Sequence, residues 1–585
     1  MLKYCGGTTN LWNHLKFKHG YVSQSTETES SESKSKSTRI TKFLTSRKEN
    51  SIKKYDLTSE RQKEITGKLI RFIAKHYEPF SLVDDPDFKS LLEALNPSYN
   101  VPSSKTLKRK MEDTYEKVYI EVKKFVNDPD NKLCGITADN WTSSTQNESY
   151  MSLTGTFITP TWDISTRQLE VKSCPGSHTA ENLAAHLEEA SEDWNIDLAE
   201  TAIVTDSGAN IKKATSLLKC KLSLNCLDHM LQCAVLKALK DDTADKILKT
   251  ARRIVSHFQH SPLQSANLKE EAGKCENLSF CKLKQECPTR WGSTYEMLKR
   301  LLQMKKPVLH VLMESRKKEI RNLTPDADYW MDAQLICDLL ENVHLISTQM
   351  CGEQYCTSSS VYAVVMNLLT WVMKPKDEDT YFIRNMKIFF SEYLEERLSD
   401  ERIRWAMEVS AVVDPRMKDL PFVTEESRKK AYKSVKGELD RSMNKDTVGN
   451  EMSDECDDIE IIEDNTVSNS AARDRRLEIL FGSKSFGCYG TKPKLPKTKI
   501  TSKVALNSYL AEDSISLSED PLAWWRENES KHPEMAKIAR FFLGIPATSV
   551  SSERAFSTAG LITTEKRNRL KPKTVRMLHF LCKNL

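Results

Sequence analysis

Two aspartates stand where an apolar run stops. Asp139 closes Gly-Ile-Thr-Ala-Asp and Asp206 closes Ala-Ile-Val-Thr-Asp, and both runs have the β-branched, short character of strands. If the two strands are parallel neighbours, both carboxylates emerge at one sheet edge, where open α/β sheets hold their ligands. Carboxylates so placed suit Mg²⁺, which takes one or two of them and keeps its other positions for water and phosphate oxygens. Two such ions about 4 Å apart activate a nucleophile and stabilise the leaving oxygen of a phosphodiester. Turn chemistry accounts for the same residues more simply, because Asp206-Ser-Gly is also an ordinary turn and an Asp after a strand is a common helix N-cap.

Three further groups could do chemistry. Cys226-Leu-Asp-His229 sets a Cys and a His three apart, on one helical face; zinc would need four ligands, and no second pair at matching spacing follows. Arg290-Trp291 offers a stacking surface for an unpaired base with a cation for phosphate, or simply a core residue beside a salt bridge. Near the end, Glu553 lies in the first turn of a helix that Ser551 or Ser552 can cap, a position that helix-dipole electrostatics alone would favour. The segment 565–585 carries seven bases and one acid, which suits nucleic acid or a solvated helix face.

The elements that must position these residues change character along the chain. Residues 51–130 read as a small helical domain, with Ile65, Leu69, Ile70 and Ile73 at helical spacing and a charged helix through 105–124. From 131 to 242 the pattern is strand, strand, strand, helix, strand, helix: an α/β order whose sheet begins as a meander and continues through a crossover. From 243 to 440 the signal is helical almost throughout, and a compact region covers 511–585. Residues 21–50 and 441–510 read as disordered linkers, the first Ser/Thr/Glu/Lys-rich, the second with eight carboxylates between 451 and 464.

Composition narrows the function. With 585 residues, a net charge of +5 and 39% hydrophobic residues, the chain is neither a histone-like tail nor a polyanionic solvating segment, and it is long enough for several cores. The longest mostly apolar stretch, 361–373, is short of the roughly 20 residues that span a bilayer, so no membrane partner is expected. The N-terminus lacks the pattern of a secretory signal, and fifteen cysteines, an odd number, suit reduced thiols. A nuclear or cytosolic setting follows.

Taken together, several motifs resemble the hAT superfamily of DNA transposases, in particular its BED-finger branch. They are Asp139-Asn-Trp-Thr-Ser, Val204-Thr-Asp206-Ser-Gly-Ala-Asn210, Cys226-x-x-His229, Arg290-Trp291, Val413-Asp-Pro-Arg416 and IPATSVSSERAFSTAGLITTEKRNRL at 545–570, in family order. The resemblance implies an RNase H-like core interrupted by a large all-helical insertion. It makes Asp139, Asp206 and Glu553 the candidate acidic triad for Mg²⁺ or Mn²⁺, Cys226 and His229 their neighbours toward DNA, and Trp291, beside Arg290, the residue that stacks a displaced base. It implies DNA as partner, a small helical DNA-binding domain near 56–99, homo-oligomerisation through the C-terminal region and a nuclear location.

The first twenty residues resemble the second half of a BED-type zinc finger, with His14 and His19 as two ligands. No Cys-x-x-Cys pair precedes them in this sequence, and Cys5 alone does not complete a four-ligand site, so zinc is expected to bind weakly there. Ile459, Ile461 and Ile462, flanked by acids, resemble a SUMO-interacting strand; an acidic spacer explains them equally. Two functions fit all of this: a transposase that cuts and joins DNA with metal ions, or a catalytically silent, transposase-derived regulator that binds DNA or chromatin without cutting.

Overall fold

The computed structural model describes residues 53–143, 148–287, 291–445, 501–555 and 570–585. They fall into two compact units. The smaller, residues 53–64 with 86–101, is tied together by the Gln62 side-chain amide and by backbone hydrogen bonds. Gln62 donates to Asn100 O at 2.7 Å and accepts from Asn100 N at 3.1 Å, while Tyr55 N donates to Ser98 O at 2.7 Å.

The larger unit is built on a five-stranded sheet. Its elements, in chain order, begin with α1 (Ser104–Val126), β1 (Lys132–Ser143), β2 (Glu148–Ile158), β3 (Ile164–Ser173) and α2 (Ala180–Trp194). Then come β4 (Ala202–Thr205), α3 (Ala209–Leu217), β5 (Leu222–Asn225) and α4 (Leu227–Ala238). The strand order is β3-β2-β1-β4-β5, with β1 antiparallel to β2 and parallel to β4, and β4 parallel to β5. The meander comes first because hairpin-joined strands pair antiparallel, and the parallel pairs follow because a helix separates each new strand from the last. Thr179 caps α2 by accepting from Asn182 N, and Asn195 ends it in the left-handed conformation, φ 53°.

Helices fill the chain from Asp242 to Lys445, among them α5 (Trp291–Gln303) and α6 (Tyr381–Leu398). The C-terminal part adds α7 (Pro533–Leu543), α8 (described over 550–555) and α9 (Pro572–Asn584). One continuous apolar core joins the sheet, the helical region and residues up to Ala547. None of the described helices is long and apolar enough to cross a membrane.

The C-terminal part is locked to the rest by polar groups with fixed directions. Trp525 stacks on Trp162 at 5.8 Å and donates its indole N–H to Val413 O at 2.9 Å. Asp414 is fully buried and holds Arg416 through the paired guanidinium geometry that makes Arg the strongest carboxylate partner. Lys418, also buried, donates to the carbonyls of Tyr509, Leu510 and Glu512, and burial pulls its ammonium down to about 8. On the other flank, α9 lies on β3: Arg576 pairs with buried Glu170 at 2.6 Å, and Asn584 donates to Gln168 O at 2.9 Å.

The turn after α7 meets β1 so closely that only glycine fits. A Cβ on Gly544 would stand 2.3 Å from Cys134 Sγ, and one on Gly135 would stand 3.1 Å from Pro546 Cδ. Cys134 is fully buried and donates to Arg540 O at 3.1 Å, so it has nowhere to retreat. Gly544→Ala is therefore expected to cost about 1–3 kcal/mol in urea unfolding, and the double variant Gly544→Ala with Cys134→Gly to recover part of that loss. An unchanged midpoint for the single variant would show that the turn can move away from the strand.

Candidate active site

β1 and β4 are adjacent and parallel, as expected. Asp206 directly follows the end of β4, whereas Asp139, expected to close its run, lies inside β1, which continues to Ser143 because its far half still pairs with β2. The printed register pairs Ile136 with Ile203 and Thr137 with Val204, and two more steps along both strands reach Asp139 and Asp206. Side chains alternate along a strand, so Thr137 and Asp139 share one face of β1. That face receives the start of α8. Thr137 Oγ1 is hydrogen-bonded to Ser551 Oγ at 3.0 Å and Ser552 Oγ at 2.8 Å, and Ser552 Oγ also donates to Thr137 O at 3.2 Å. The next residue is Glu553. Residues more than 400 apart in sequence are thus stitched together two positions from Asp139 and one from Glu553.

The serines differ from their expected role. α8 begins at 550, and Glu553 N and Ser552 N both donate to Ser549 O, so Ser549 occupies the start of the helix. Ser551 and Ser552 lie inside its first turn and spend their hydroxyls on β1. Ser549 is held in turn by Cys226, whose thiol accepts from Ser549 N at 3.3 Å, while Cys226 N donates to Thr205 O at 2.7 Å and Leu227 N to Ala547 O at 3.0 Å. Cys226 is fully buried, and burial pushes its thiol up to about 12. It has no surface to offer DNA, and the expectation of a Cys226 contact with DNA gives way to a joint between β4, α4 and the C-terminal segment.

His229 points to a different cysteine. Its partner is Cys233, four residues on, which raises the imidazole above its ordinary value; the charges of Asp206 and Glu553 act in the same direction. Cys233 is correspondingly lowered, chiefly by its hydrogen bond with His229. Spacing of four on a helix was the available signal for this pair. Trp291 opens α5 but is only 3% exposed, its ring edge-on to His344 with centroids 5.9 Å apart. A base stacks on an open ring face, and Trp291 presents none in this conformation. Arg290, His14, His19, Ile459, Ile461 and Ile462 lie outside the described residues.

The acids sense one another. Burial lifts Asp139 to about 7, and the charges of Asp206 and Glu553 add to that; the hydrogen bond from Asn140 N, 2.8 Å, and the charge of His229 oppose it. Asp206 accepts from Gly208 N at 3.0 Å, the hydrogen bond of an Asx turn, so its turn and its acid roles coexist. Among the described residues no group of three His, Cys, Asp or Glu is already drawn in to metal-ligand distance. The donor set nevertheless fits a hard divalent cation: all three groups are carboxylates, and their mutual repulsion is what such an ion would relieve. Sequence reasoning missed Cys233, which lies four residues after His229 on the same helix and whose thiol is lowered beside it.

A mixed α/β chain with one acid on β1 and another just after the parallel neighbour β4 fits an RNase H-like core. The comparisons agree. Residues 137–232 match the ZBED1 RNase-like domain, 224–339 the ZBED1 RNase-like helical domain, and 505–585 the hAT family C-terminal dimerisation region. The chain is similar to human zinc finger BED domain-containing protein 4, 25% identical over 99% of this chain and 49% of that one. A Zea mays protein described as an AC transposase is 26% identical over 87% of this chain and 64% of its own. A Talaromyces stipitatus protein described as a transcriptional regulator is 21% identical over 88% and 61%. The chain therefore spans about half to two thirds of the length of these relatives. These matches identify a hAT-type protein of the BED, transposase-derived group.

The raised Asp139 has a measurable consequence. Its folded value, about 7, exceeds its ordinary 3.8, so as pH rises the unfolded chain ionises first. The stability this residue contributes is complete below about pH 4 and is lost by about pH 7. In chelator-treated buffer, Asp139→Asn should match the wild type near pH 4 and exceed it by about 2–4 kcal/mol at pH 8 in urea unfolding. A difference that does not vary with pH would show that the folded state carries no such penalty.

Proposed function

We propose that this chain is a nuclear, DNA-binding, dimerising transposase that cuts and rejoins DNA strands at Asp139, Asp206 and Glu553. The observation that carries the reading is the electrostatic meeting of the three acids at one sheet edge, reached through the Thr137 to Ser551 and Ser552 hydrogen bonds. Structural acids are rarely gathered this way, because each raises the cost of ionising the next.

Mg²⁺ or Mn²⁺, when bound, supplies Lewis-acid stabilisation of the charge that develops on phosphate and leaving oxygens. The chain's own residues do the rest. Asp139 and Asp206 offer carboxylate oxygens from strands whose pairing holds their spacing, and Glu553 closes the third side from α8. Water is the first nucleophile, adding to phosphorus as the P–O3′ bond breaks and a 3′ hydroxyl is freed. That hydroxyl then attacks a second phosphodiester and displaces its O3′ in turn, joining the strands. Burial lifts the Asp139 carboxyl to about 7, so a cation held there would favour its ionised form. Dimerisation through 505–585 is supported by the match of that segment to a dimerisation region.

A second reading is a regulator that binds DNA without cutting it, and the resemblance to a fungal protein described as a transcriptional regulator favours it. One comparison separates the two. In a Mn²⁺-dependent strand-transfer assay on the DNA flanking the coding region, wild type should yield joined product and Asp206→Asn should lose at least about 100-fold while still binding. Wild type that binds this DNA but leaves it uncut would select the regulator.

A further inference from the structure

The outer edge of the sheet opens into a cavity. β3 stands at the end of the strand order, and the hydrogen bond from Cys174 N to Ser149 O, 2.7 Å, fixes which of its residues face β2. In an antiparallel pair the residues that exchange backbone bonds alternate with residues that face away, so Lys172 turns its N–H and C=O to β2 while Val171 and Ser173 turn theirs outward. Among the described residues those outward groups find no partner. Earlier on the same edge Asn584 donates to Gln168 O at 2.9 Å, so α9 closes that step and leaves Val171 and Ser173 open. Both line a cavity of about 660 Å³ whose other walls come from α1 and the start of α9. That volume is in the range of clefts that hold ligands, and an open strand edge is a template for another strand.

The α1 wall states what side chain the strand should carry. Glu112, Tyr115, Glu116 and Tyr119 all line the cavity and, at spacings of three and four, share one face of the helix. The rings are held from behind: Tyr115 meets Phe580 edge-on with centroids 5.2 Å apart, and Tyr119 lies 4.9 Å from Trp194. Their hydroxyls have no hydrogen-bond partner and the two exposed carboxylates no ion pair among the described residues. The cavity's cations are mostly engaged, Lys172 with Glu189 and Arg576 with buried Glu170 at 2.6 Å, which leaves Lys573. Two unpaired acids alternating with two aromatic rings suit an ammonium or guanidinium, which pairs with the one and lies against the other. The same acids repel a phosphate backbone.

We propose that the cavity beside β3 is a peptide-docking groove, in which an extended segment of a partner protein pairs with Val171 and Ser173 and sets a Lys or Arg side chain against Glu112, Tyr115, Glu116 and Tyr119. The backbone bonds supply affinity without regard to sequence, and the acid and tyrosine stripe supplies the choice of side chain. With helices as its other walls, the groove admits one extended chain and not a second sheet. It lies on the edge strand, separated from β1 by β2, so it serves to attach a partner and does not depend on whether the protein cuts DNA.

The test is affinity selection on the immobilised full chain from four peptide libraries, each with randomised flanks around one fixed residue: Lys, Arg, Glu or Leu. The Lys and Arg libraries should be retained and the other two lost. In a selected peptide, methylation of backbone nitrogens should weaken binding about tenfold at alternate positions and little between them, the period of a paired strand. Glu112→Gln combined with Glu116→Gln should also weaken it about tenfold. Both residues are exposed and unpaired among the described residues, so the thermal midpoint of that variant should not fall, and its duplex DNA binding should be no weaker than wild type. Retention of no library, or of Glu or Leu as well as Lys and Arg, overturns the proposal. So does a methylation profile without the period of two, or full peptide affinity in the double variant. If spermidine displaces the peptide at the peptide's own concentration, the groove takes a small amine and the strand is wrong. If duplex DNA displaces it and the double variant loses duplex binding, the surface belongs to nucleic acid and the proposal falls. None of these outcomes alters the strand-transfer comparison above.

Discussion

Everything functional in this protein depends on one contact: the return of the C-terminal segment to β1. The chain leaves the sheet after β5, runs through some two hundred residues of mostly helix, and comes back to lie on β1. Two glycines make the approach close enough, Gly544 against Cys134 and Gly135 against Pro546, and the hydroxyls of Thr137, Ser551 and Ser552 set its register. Apolar packing would hold the segment down but would tolerate sliding. Hydrogen bonds between short side chains do not, because they weaken steeply with distance and angle. A shift of one residue in α8 would turn Glu553 away from the acids it serves.

That precision is maintained against an electrostatic cost. The site collects carboxylates from three places and removes part of their water, and Asp139 registers the strain by holding its proton to near neutrality. A protein tolerates such arrangements when surrounding structure over-determines them. Here the surround is substantial: the Trp162 and Trp525 stack, the buried Asp414 and Arg416 pair, and Lys418 satisfied by three carbonyls. The tightly satisfied C-terminal frame and the electrostatically costly acids thus lie in different parts of one structure.

Much of the core was legible before any coordinates. The three strands of the meander, the crossover helix and the runs ending at Asp139 and Asp206 all show in β-branched content and turn signals, because local preference and tertiary role agree there. The parallel pairing of β1 with β4 also followed, since a helix between strands permits little else. Cys226 and Trp291 were harder. Both have types and spacings that suit ligands, and both are buried joints in the fold. A sequence states what a side chain can do, not whether neighbours cover it. The SUMO-like isoleucines, the zinc half-finger and Arg290 fall outside the described residues, and the fold bears on none of them.

The sequence by itself determined the inventory: which residues are acids, which runs form strands, and the order of the motifs that resemble the hAT type. Those are local facts, written in spacings of two and of three to four. What only the tertiary structure decided is company. The hydrogen bonds of Ser551 and Ser552 to Thr137 across the whole helical region, and the burial of Cys226 against Ser549, depend on contacts between distant segments. Such contacts are set by packing a whole core at once, and no short window of residues encodes that sum.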